Sequence, residues 1–457
     1  MPELTIRRRN KFIFLGIDLF ILFLSYPLAF FLRFDDLPKR NMDSFISLLP
    51  WILLIGLIFL SVYELYNLQR RNKWDVVRDI LVANTFIVFI TMAFSFIFRE
   101  FALPRSIIVI SFGISIFLML VWKLTFIWFR KGKNVDRVLL FGPKKDLSKL
   151  VKELRGAFST NIEITCINTE SSIKDNIDQL IKNADKVAIA PNVSEAIKTK
   201  VIYESISKNR TVFVVPSAYE LILSKSYITS FDDSMVLAVR PFGLTLDQQI
   251  VKRMFDLVLG CISLLLLSPL FLLTIILIKL EDPKGSIFYG QKRLGRYNKE
   301  FTVLKFRTMI EDAEKNTGPV LASSDDKRIT KIGKFLRLTR IDELPQFINV
   351  INGDMSIVGP RPEREHFIKQ FEKQHETYKY RSTVKPGITG VAQVMGKYTT
   401  GVEDKLRYDL YYIRNYSIFL DILLLLRTVI VVLDKSKSEG AKKTKKSRKE
   451  IRDGITF

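Results

Sequence analysis

Apolar and polar positions along this chain separate into blocks. Four long apolar runs come first, Phe12–Leu32, Phe45–Tyr63, Ile80–Phe98 and Ile107–Phe129. Each holds roughly 19–23 residues, the length at which an α-helix crosses a hydrocarbon core. The pattern predicts a bundle of four transmembrane helices over residues 1–133. The first run lacks a small-residue cleavage site and is followed at once by further runs, so it reads as a span and not as a signal peptide. Arg7, Arg8, Arg9 and Lys11 precede it; Arg70, Arg71 and Lys73 follow the second run; Arg130, Lys131 and Lys133 follow the fourth. Asp35, Asp36 and Glu100 offset the basic residues of the remaining loops. The positive-inside rule then puts the N-terminus and everything after residue 130 in the cytoplasm. Asp18 and Lys123 fall inside spans, either as a polar pathway or as an interhelical pair.

From 134 to 245 the period shortens. Val138–Gly142, Ile162–Ile167, Lys186–Ala190 and Thr211–Val215 read as buried strands, and Asp146–Leu154 and Glu195–Ser207 between them have helical spacing. Strands alternating with helices predict a doubly wound parallel sheet, a Rossmann-like α/β domain. Its first strand ends in Gly142-Pro143-Lys144-Lys145, where a dinucleotide binder needs a glycine-rich turn, so the domain is degenerate and a regulatory or scaffolding role suits it better than NAD binding. A fifth apolar run, Leu257–Ile278, has basic flanks at both ends: Lys252 and Arg253 before it, Lys279 and Lys284 after it. Ser268-Pro269 sits at its middle, where proline removes a helix hydrogen bond and the serine hydroxyl can satisfy the freed carbonyl. The run is either a kinked span or a helix that enters one leaflet and returns.

Composition adds a partner class. The net charge is +23, which calls for an anion: lipid, nucleotide phosphate or nucleic acid. Cys166 and Cys261 are the only cysteines, far apart, and are expected to be reduced thiols. With His366 and His375 the only histidines, a His-rich zinc site is not expected.

Candidate chemistry gathers after Pro283. Ile287–Arg293 and Phe301–Arg307 form a hairpin pattern around Gly295 and Asn298, and strand alternation puts Phe301, Val303, Lys305 and Arg307 on one face. Cations sharing a face with apolar residues suit a partly buried phosphate pocket, to which Arg293 also contributes. In Arg337-Leu338-Thr339-Arg340-Ile341-Asp342-Glu343-Leu344-Pro345-Gln346 the proline marks a helix entrance, with Asp342 and Glu343 just before it. Two acids there can complement the helix dipole. Amid Arg337 and Arg340 they can also hold a divalent ion and a phosphate, or one can attack phosphorus. Arg361 stands between Pro360 and Pro362, a stiff extended loop that serves either as a turn or as an anion clamp. Lys385-Pro386-Gly387-Ile388-Thr389-Gly390 admits the same two readings.

Lys252-Arg253-Met254-Phe255-Asp256, Ser268-Pro269, Gln291-Lys292-Arg293-Leu294-Gly295, Lys305-Phe306-Arg307-Thr308-Met309, Asp342-Glu343-Leu344-Pro345-Gln346, the Gly359–Pro362 loop and Pro386-Gly387-Ile388-Thr389-Gly390 occur in this order. Together they make Lys252–Leu433 resemble the bacterial sugar transferase family, the monotopic phosphoglycosyl transferases. The whole chain is similar to the long members: four spans, a degenerate Rossmann-like domain (134–245), a transferase domain (250–434) and here a basic tail (435–457) expected to be disordered and drawn to anionic lipid. The resemblance implies that residues 257–280 form a re-entrant helix broken at Ser268 and Pro269. It implies Asp342 as nucleophile with Glu343 as partner, Mg²⁺ held by the two, and Arg293, Lys305, Arg307, Arg337, Arg361 and Lys397 on the substrate side. The reaction implied is that of a polyprenyl-phosphate hexose-1-phosphate transferase, from a UDP-sugar to undecaprenyl phosphate with release of UMP. The product would start exopolysaccharide, capsule or O-antigen assembly at the bacterial inner membrane. Glucose or galactose is the sugar the long members suggest, and the large membrane part is compatible with a homodimer. Met395-Gly396-Lys397-Tyr398 departs from the family's Asn-Gly-Arg-Asn-like sequence, and lysine lacks arginine's planar fork, which puts donor contacts in doubt. Leu420–Leu433 reads as a core helix or one lying on the membrane.

Rival functions fit less well. A membrane-anchored sugar-nucleotide dehydratase needs the glycine-rich turn and a Tyr-x-x-x-Lys pair, both missing. A nucleic-acid binder would carry its charge on a recognisable module, whereas here it lies on membrane flanks, hairpin and tail. An inactive relative would not be expected to keep Asp342-Glu343.

Overall fold

A computed structural model of the chain describes residues 2–36, 39–68, 73–98, 103–130, 136–157, 162–169, 177–310, 326, 328–397, 400–433 and 455–456. These fall into two compact units, 1–215 with 446–457, and 216–445.

The first unit opens with four long helices: α1 (Pro2–Arg33), α2 (Lys39–Val62), α3 (Lys73–Ile97) and α4 (Arg105–Arg130). Each is long and apolar enough to cross a membrane. They pack α1 on α2, α2 on α3, α3 on α4 and α4 back on α1. On α2 the inward positions Phe45, Leu48, Ile52, Ile55 and Phe59 recur at helical spacing, so one stripe meets its neighbours and the rest faces outward. Lys123 and Asp18 meet across α4 and α1 at 2.7 Å, both fully buried, and the ammonium also donates to the Leu65 carbonyl at 3.0 Å. Of the two readings of these charges, the interhelical pair is the one observed.

A parallel sheet follows: β1 (Asp136–Gly142), α5 (Lys144–Ala157), β2 (Ile162–Asn168), α6 (Ile177–Asn183), β3 (Lys186–Ile189), α7 (Glu195–Ser207) and β4 (Thr211–Val214). The strand order is β2-β1-β3-β4, with Val138 opposite both Ile164 and Lys186. Alternate residues of β1 serve opposite faces. Leu139 and Phe141 pack with Ile181, Val187 and Val201; Val138 and Leu140 pack with Leu147 and Ile164. Ile455–Thr456 pairs with β2 as an edge strand at the end of the tail; residues 434–454, where the disordered tail was expected, lie outside the described residues. Cys166 and Cys261 are free thiols.

The second unit begins at Pro216, earlier than the expected boundary at 245. Its first elements, α8 (Ala218–Leu223) and the hairpin β5 (Tyr227–Phe231) and β6 (Ser234–Ala238), go with the C-terminal domain because their partners are there. Leu221 packs with Ile368, Tyr378, Leu406 and Leu410, and the Arg414 guanidinium donates to the carbonyls of Ile222 and Arg240. Helix α9 (Leu246–Glu281) is longer than the expected 257–280 and stays helical through Ser268-Pro269. Ser268 Oγ donates to the Leu265 carbonyl at 2.8 Å, the acceptor that Pro269 cannot reach.

This second unit continues with the antiparallel pair β7 (Phe288–Leu294) and β8 (Glu300–Phe306), then α10 (Lys331–Thr339), α11 (Gln346–Asn352) and β9 (Ser356–Val358). After α12 (Glu365–Gln374) and a 3-10 segment, Glu376–Thr383, come β10 (Gly387–Thr389), parallel to β9, α13 (Val391–Met395), α14 (Val402–Arg414) and α15 (Ile418–Leu433). Leu424 and Val431 of α15 bury against Val358, Val391 and Tyr412, while Phe419, Val432 and Leu433 stay exposed. Helix α15 is thus a core helix with an apolar outer face.

Candidate active site

Asp342 and Glu343 occupy a single 3-10 turn, Ile341–Glu343, between α10 and α11. Arg340 ends α10 in the left-handed region at φ 58°, a conformation costing a non-glycine residue on the order of 1 kcal/mol, and so swings the chain into that turn. Pro345 then caps α11, as its position in the sequence indicated. From α10 the approach is close: a Cβ on Gly333 would lie 2.2 Å from the Thr308 carbonyl oxygen. This contact sets Arg337, whose Nε donates to Thr308 Oγ1 at 2.9 Å.

Lys305 reaches the acids from β8. The register is fixed by Asn349 of α11, buried, whose amide accepts from the Leu304 N–H at 2.9 Å and donates to the Thr302 carbonyl at 2.8 Å. Phe301 and Val303 enter the core on the same face, and Phe306 on the other stacks on Phe288 and meets Phe271 at a tilt. Burying Phe306 contributes roughly 2–3 kcal/mol and anchors the strand that carries Lys305.

The charges divide unevenly. Glu343 Oε1 accepts from Lys305 Nζ and from Arg361 Nη2, each at 3.0 Å, and Arg340 Nη1 lies 4.0 Å from Oε2. Asp342 has Lys305 at 4.0 Å as its nearest ion partner among the described residues. Burial, aided by the adjacent Glu343 charge, pushes the Asp342 carboxyl up to about 6 against the pull of Lys305, Arg337 and Arg361. Burial acts on Glu343 in the same direction, but Lys305 and Arg361 outweigh it and hold that carboxyl well below the usual range.

Of the residues expected on the substrate side, Lys305, Arg337 and Arg361 gather around the acid pair. Arg293 lies one step away, 3.6 Å from Glu363 and bonded to Gln291; burial pulls it down to about 10 despite Glu363, and the charges of Arg361 and Arg364 act the same way. Arg307 lies beyond the end of β8 and turns to Asp282 at 2.7 Å, so it braces the exit of α9. Lys397 is exposed; its backbone N–H bonds Thr400, and Tyr398 lies outside the described residues. Asn349 was missed, although a polar residue on a short helix otherwise rich in apolar ones was a signal for it.

A buried network secures the N-terminal end of α9 to this body. Lys252 pairs with Asp421 at 2.6 Å, Asp421 accepts from the Tyr412 hydroxyl at 2.9 Å, and Asp256 accepts from Ser356 Oγ and the Ile357 N–H. Arg253 donates to the Val350 and Ile351 carbonyls at the end of α11.

The sequence pattern of bacterial sugar transferases matches residues 247–435, the span that holds every feature of this site. The chain is 44% identical over 186 residues to a UDP-N-acetylgalactosamine-undecaprenyl-phosphate N-acetylgalactosaminephosphotransferase of Aeromonas hydrophila, an alignment covering 40% of this chain and 44% of that protein. A UDP-glucose:undecaprenyl-phosphate glucose-1-phosphate transferase of Klebsiella pneumoniae aligns over 444 residues at 28% identity, 90% of this chain and 93% of its own. The exopolysaccharide production protein ExoY of Sinorhizobium fredii is 37% identical over 209 residues, 43% of this chain and 88% of its own. With its site inside the matched span and a relative of this identity almost wholly covered, the chain belongs to the bacterial sugar transferase family and is a membrane-associated transferase.

Proposed function

We propose that this enzyme transfers a sugar 1-phosphate from a UDP-sugar to undecaprenyl phosphate through a covalent intermediate on Asp342. The observation that carries the reading is the uneven acid pair: Glu343 takes the nearby cations and Asp342 keeps an oxygen for attack. In the first half-reaction an Asp342 carboxylate oxygen bonds to the sugar-bearing phosphorus as the bond to UMP breaks and UMP leaves with its electron pair. In the second, a phosphate oxygen of the lipid attacks the same phosphorus and Asp342 is released as carboxylate. Arg361, Arg337 and Lys305 face the charge that spreads over the phosphoryl oxygens in both steps.

Asp342 and Glu343 are also the residues that would hold Mg²⁺. No third His, Cys, Asp or Glu joins them among the described residues, which fits an ion that takes its other ligands from substrate phosphates and water. Such an ion would offset the charge of the donor pyrophosphate.

Helix α9 supports a re-entrant seat in one leaflet. Its first turns bond α11 and β9, and its last turns pack Phe271 and Ile278 on Phe306 and Leu336. Asn349 hydrogen-bonds α11 to β8, so the partners of both ends belong to one body on one side of the membrane. Between them Ile262, Leu265 and Leu266 are bare. Together with the basic flanks of the four spans, this supports catalysis at the cytoplasmic face of the inner membrane. Cysteines introduced at the exposed Asp247 and Lys284 should react with an impermeant thiol reagent from the same side; labelling from opposite sides would make α9 a full span.

The deciding measurement is UMP release from UDP-glucose, UDP-galactose and UDP-N-acetylgalactosamine with Mg²⁺ and undecaprenyl phosphate. Lipid-dependent release with one donor, lost in Asp342→Asn, is the expected result. Release that persists in Asp342→Asn would remove the covalent step.

A further inference from the structure

The loop that presents Arg361 is held from three sides. Proline on either side of Arg361 supplies no N–H and limits its backbone to extended geometry. Its carbonyls are therefore what neighbouring elements can grip. The Pro360 carbonyl accepts from the Gly387 N–H at 2.9 Å, and the Glu363 carbonyl from the Leu294 N–H at 3.2 Å. The Arg361 carbonyl accepts from Arg381 Nη2 at 2.8 Å, a grip made by a side chain. Arg381 is itself held from two elements. Its Nε and Nη2 lie 3.2 and 3.1 Å from Asp409 Oδ2 of α14, and its Nη1 donates to the Tyr378 hydroxyl at 3.0 Å. Asp409 is almost completely buried. A buried acid, a planar guanidinium and a tyrosine thus form a rigid fork whose free prong ends on one backbone oxygen. That oxygen belongs to the residue whose guanidinium meets Glu343 at 3.0 Å.

We propose that Arg381, oriented by Asp409 and Tyr378, is a positioning residue for sugar-phosphate transfer: it fixes the Pro360–Pro362 turn and thereby the place of the Arg361 guanidinium beside the acid pair. The inference rests on the transferase reading above. Arg381 meets neither acid. It acts through Arg361, on a group whose displacement by about 1 Å is enough to lower a rate on the order of a hundredfold. Only arginine supplies two donors to Asp409 and a further one to the carbonyl in one plane; lysine has a single nitrogen on a flexible stem.

The test uses the full-length enzyme in lipid nanodiscs. With the donor that wild type turns over, Arg381→Gln should lower kcat roughly a hundredfold with little change in donor KM, and Arg381→Lys should recover only part of the loss. In an Arg361→Gln background, Arg381→Gln should cost nothing more, because its effect passes through Arg361. Undiminished kcat in Arg381→Gln, or losses that add in the double variant, would overturn the proposal. Hydrogen exchange of the Gly359–Arg364 segment gives a second readout that needs no substrate. Faster exchange there in Arg381→Gln is expected, and unchanged exchange counts against the proposal even if wild type turns over no UDP-sugar, an outcome that would separately refute the transferase reading. Should Arg381→Gln fail to fold, Tyr378→Phe removes only one brace; the same segment should still exchange faster, and protection equal to wild type would overturn the assignment.

Discussion

Asp18 and Asp342 are both buried beside a lysine, and they are held differently. In the helix bundle Asp18 meets Lys123 at 2.7 Å, one anion against one cation, both shut away from solvent. In the transferase body Asp342 lies 4.0 Å from Lys305, whose ammonium sits closer to Glu343, at 3.0 Å. Arg361 and Arg340 also turn to Glu343. The first arrangement balances charge and fastens two helices. The second brings more cations than acids and spends their close contacts on one acid; burial, then the Glu343 charge, pushes the other's carboxyl up to about 6 against the more distant pull of Lys305, Arg337 and Arg361. Burial of a carboxylate beside a lysine therefore does not by itself mark a nucleophile; the uneven sharing of the cations is what supports the role proposed for Asp342.

The sharpest way to break this contrast is to neutralise each aspartate. Asp342→Asn should reduce transfer at least about a thousandfold while the unfolding midpoint stays level or rises, since a poorly compensated buried charge is removed. A fall in midpoint would mean that Asp342 is a structural pair like Asp18. The bundle should respond in the opposite way. Lys123→Met leaves Asp18 buried without its cation and should cost about 3–5 kcal/mol, read as loss of folded protein in detergent. Adding Asp18→Asn should recover most of it. If Lys123→Met folds normally yet loses transfer, the bundle charges serve the reaction.

Much of this contrast was legible in the residues, but not all of it. Four apolar runs of spanning length gave the bundle, and short apolar runs such as Val138–Gly142 and Ile162–Ile167, set between segments of helical spacing, gave the parallel strands, because both signals are local. Pro345 marked the helix entrance that carries Asp342 and Glu343, and the two prolines marked the stiff loop of Arg361. Periodicity states which face a side chain is on but not what lies across from it. Arg307 shares a strand pattern with Lys305, yet it turns to Asp282, one step past the strand's end. Arg293 was grouped with the phosphate cations, and Glu363 takes it. Asn349 and Arg381 make contacts 47 and 20 residues away in sequence; the polarity of Asn349 on an apolar helix hints at a partner, but no local pattern names which. The left-handed turn at Arg340 depends on the same tertiary packing.

A smaller effect would sharpen the account of the acid pair. In the proposed mechanism transfer needs Asp342 ionised, and burial together with the Glu343 charge raises its carboxyl to about 6 while Lys305, Arg337 and Arg361 oppose the rise. The rate should therefore climb with pH through about 6. Glu343→Gln removes the repelling charge and frees Lys305 and Arg361 to act on Asp342, so the residual activity should show its acidic limb at lower pH. A limb that stays in place would mean that Glu343 does not share its charge environment with Asp342.

The smallest expected effect concerns α9, where the polar group at issue is a backbone carbonyl. Pro269 has no N–H to give the carbonyl of Leu265, and Ser268 Oγ fills that place at 2.8 Å. Both residues are exposed on the protein, so within a bilayer this carbonyl would face hydrocarbon, where an unmade hydrogen bond is expensive. Ser268→Ala should then cost about 1 kcal/mol of stability in lipid. In a Pro269→Ala background the new N–H of residue 269 meets the Leu265 carbonyl, and Ser268→Ala should become nearly silent. Equal costs in both backgrounds would mean that the serine hydroxyl is no substitute for the missing donor. A cost that appears in lipid and vanishes in water-accessible detergent would show that this middle of the helix is the part that enters the membrane.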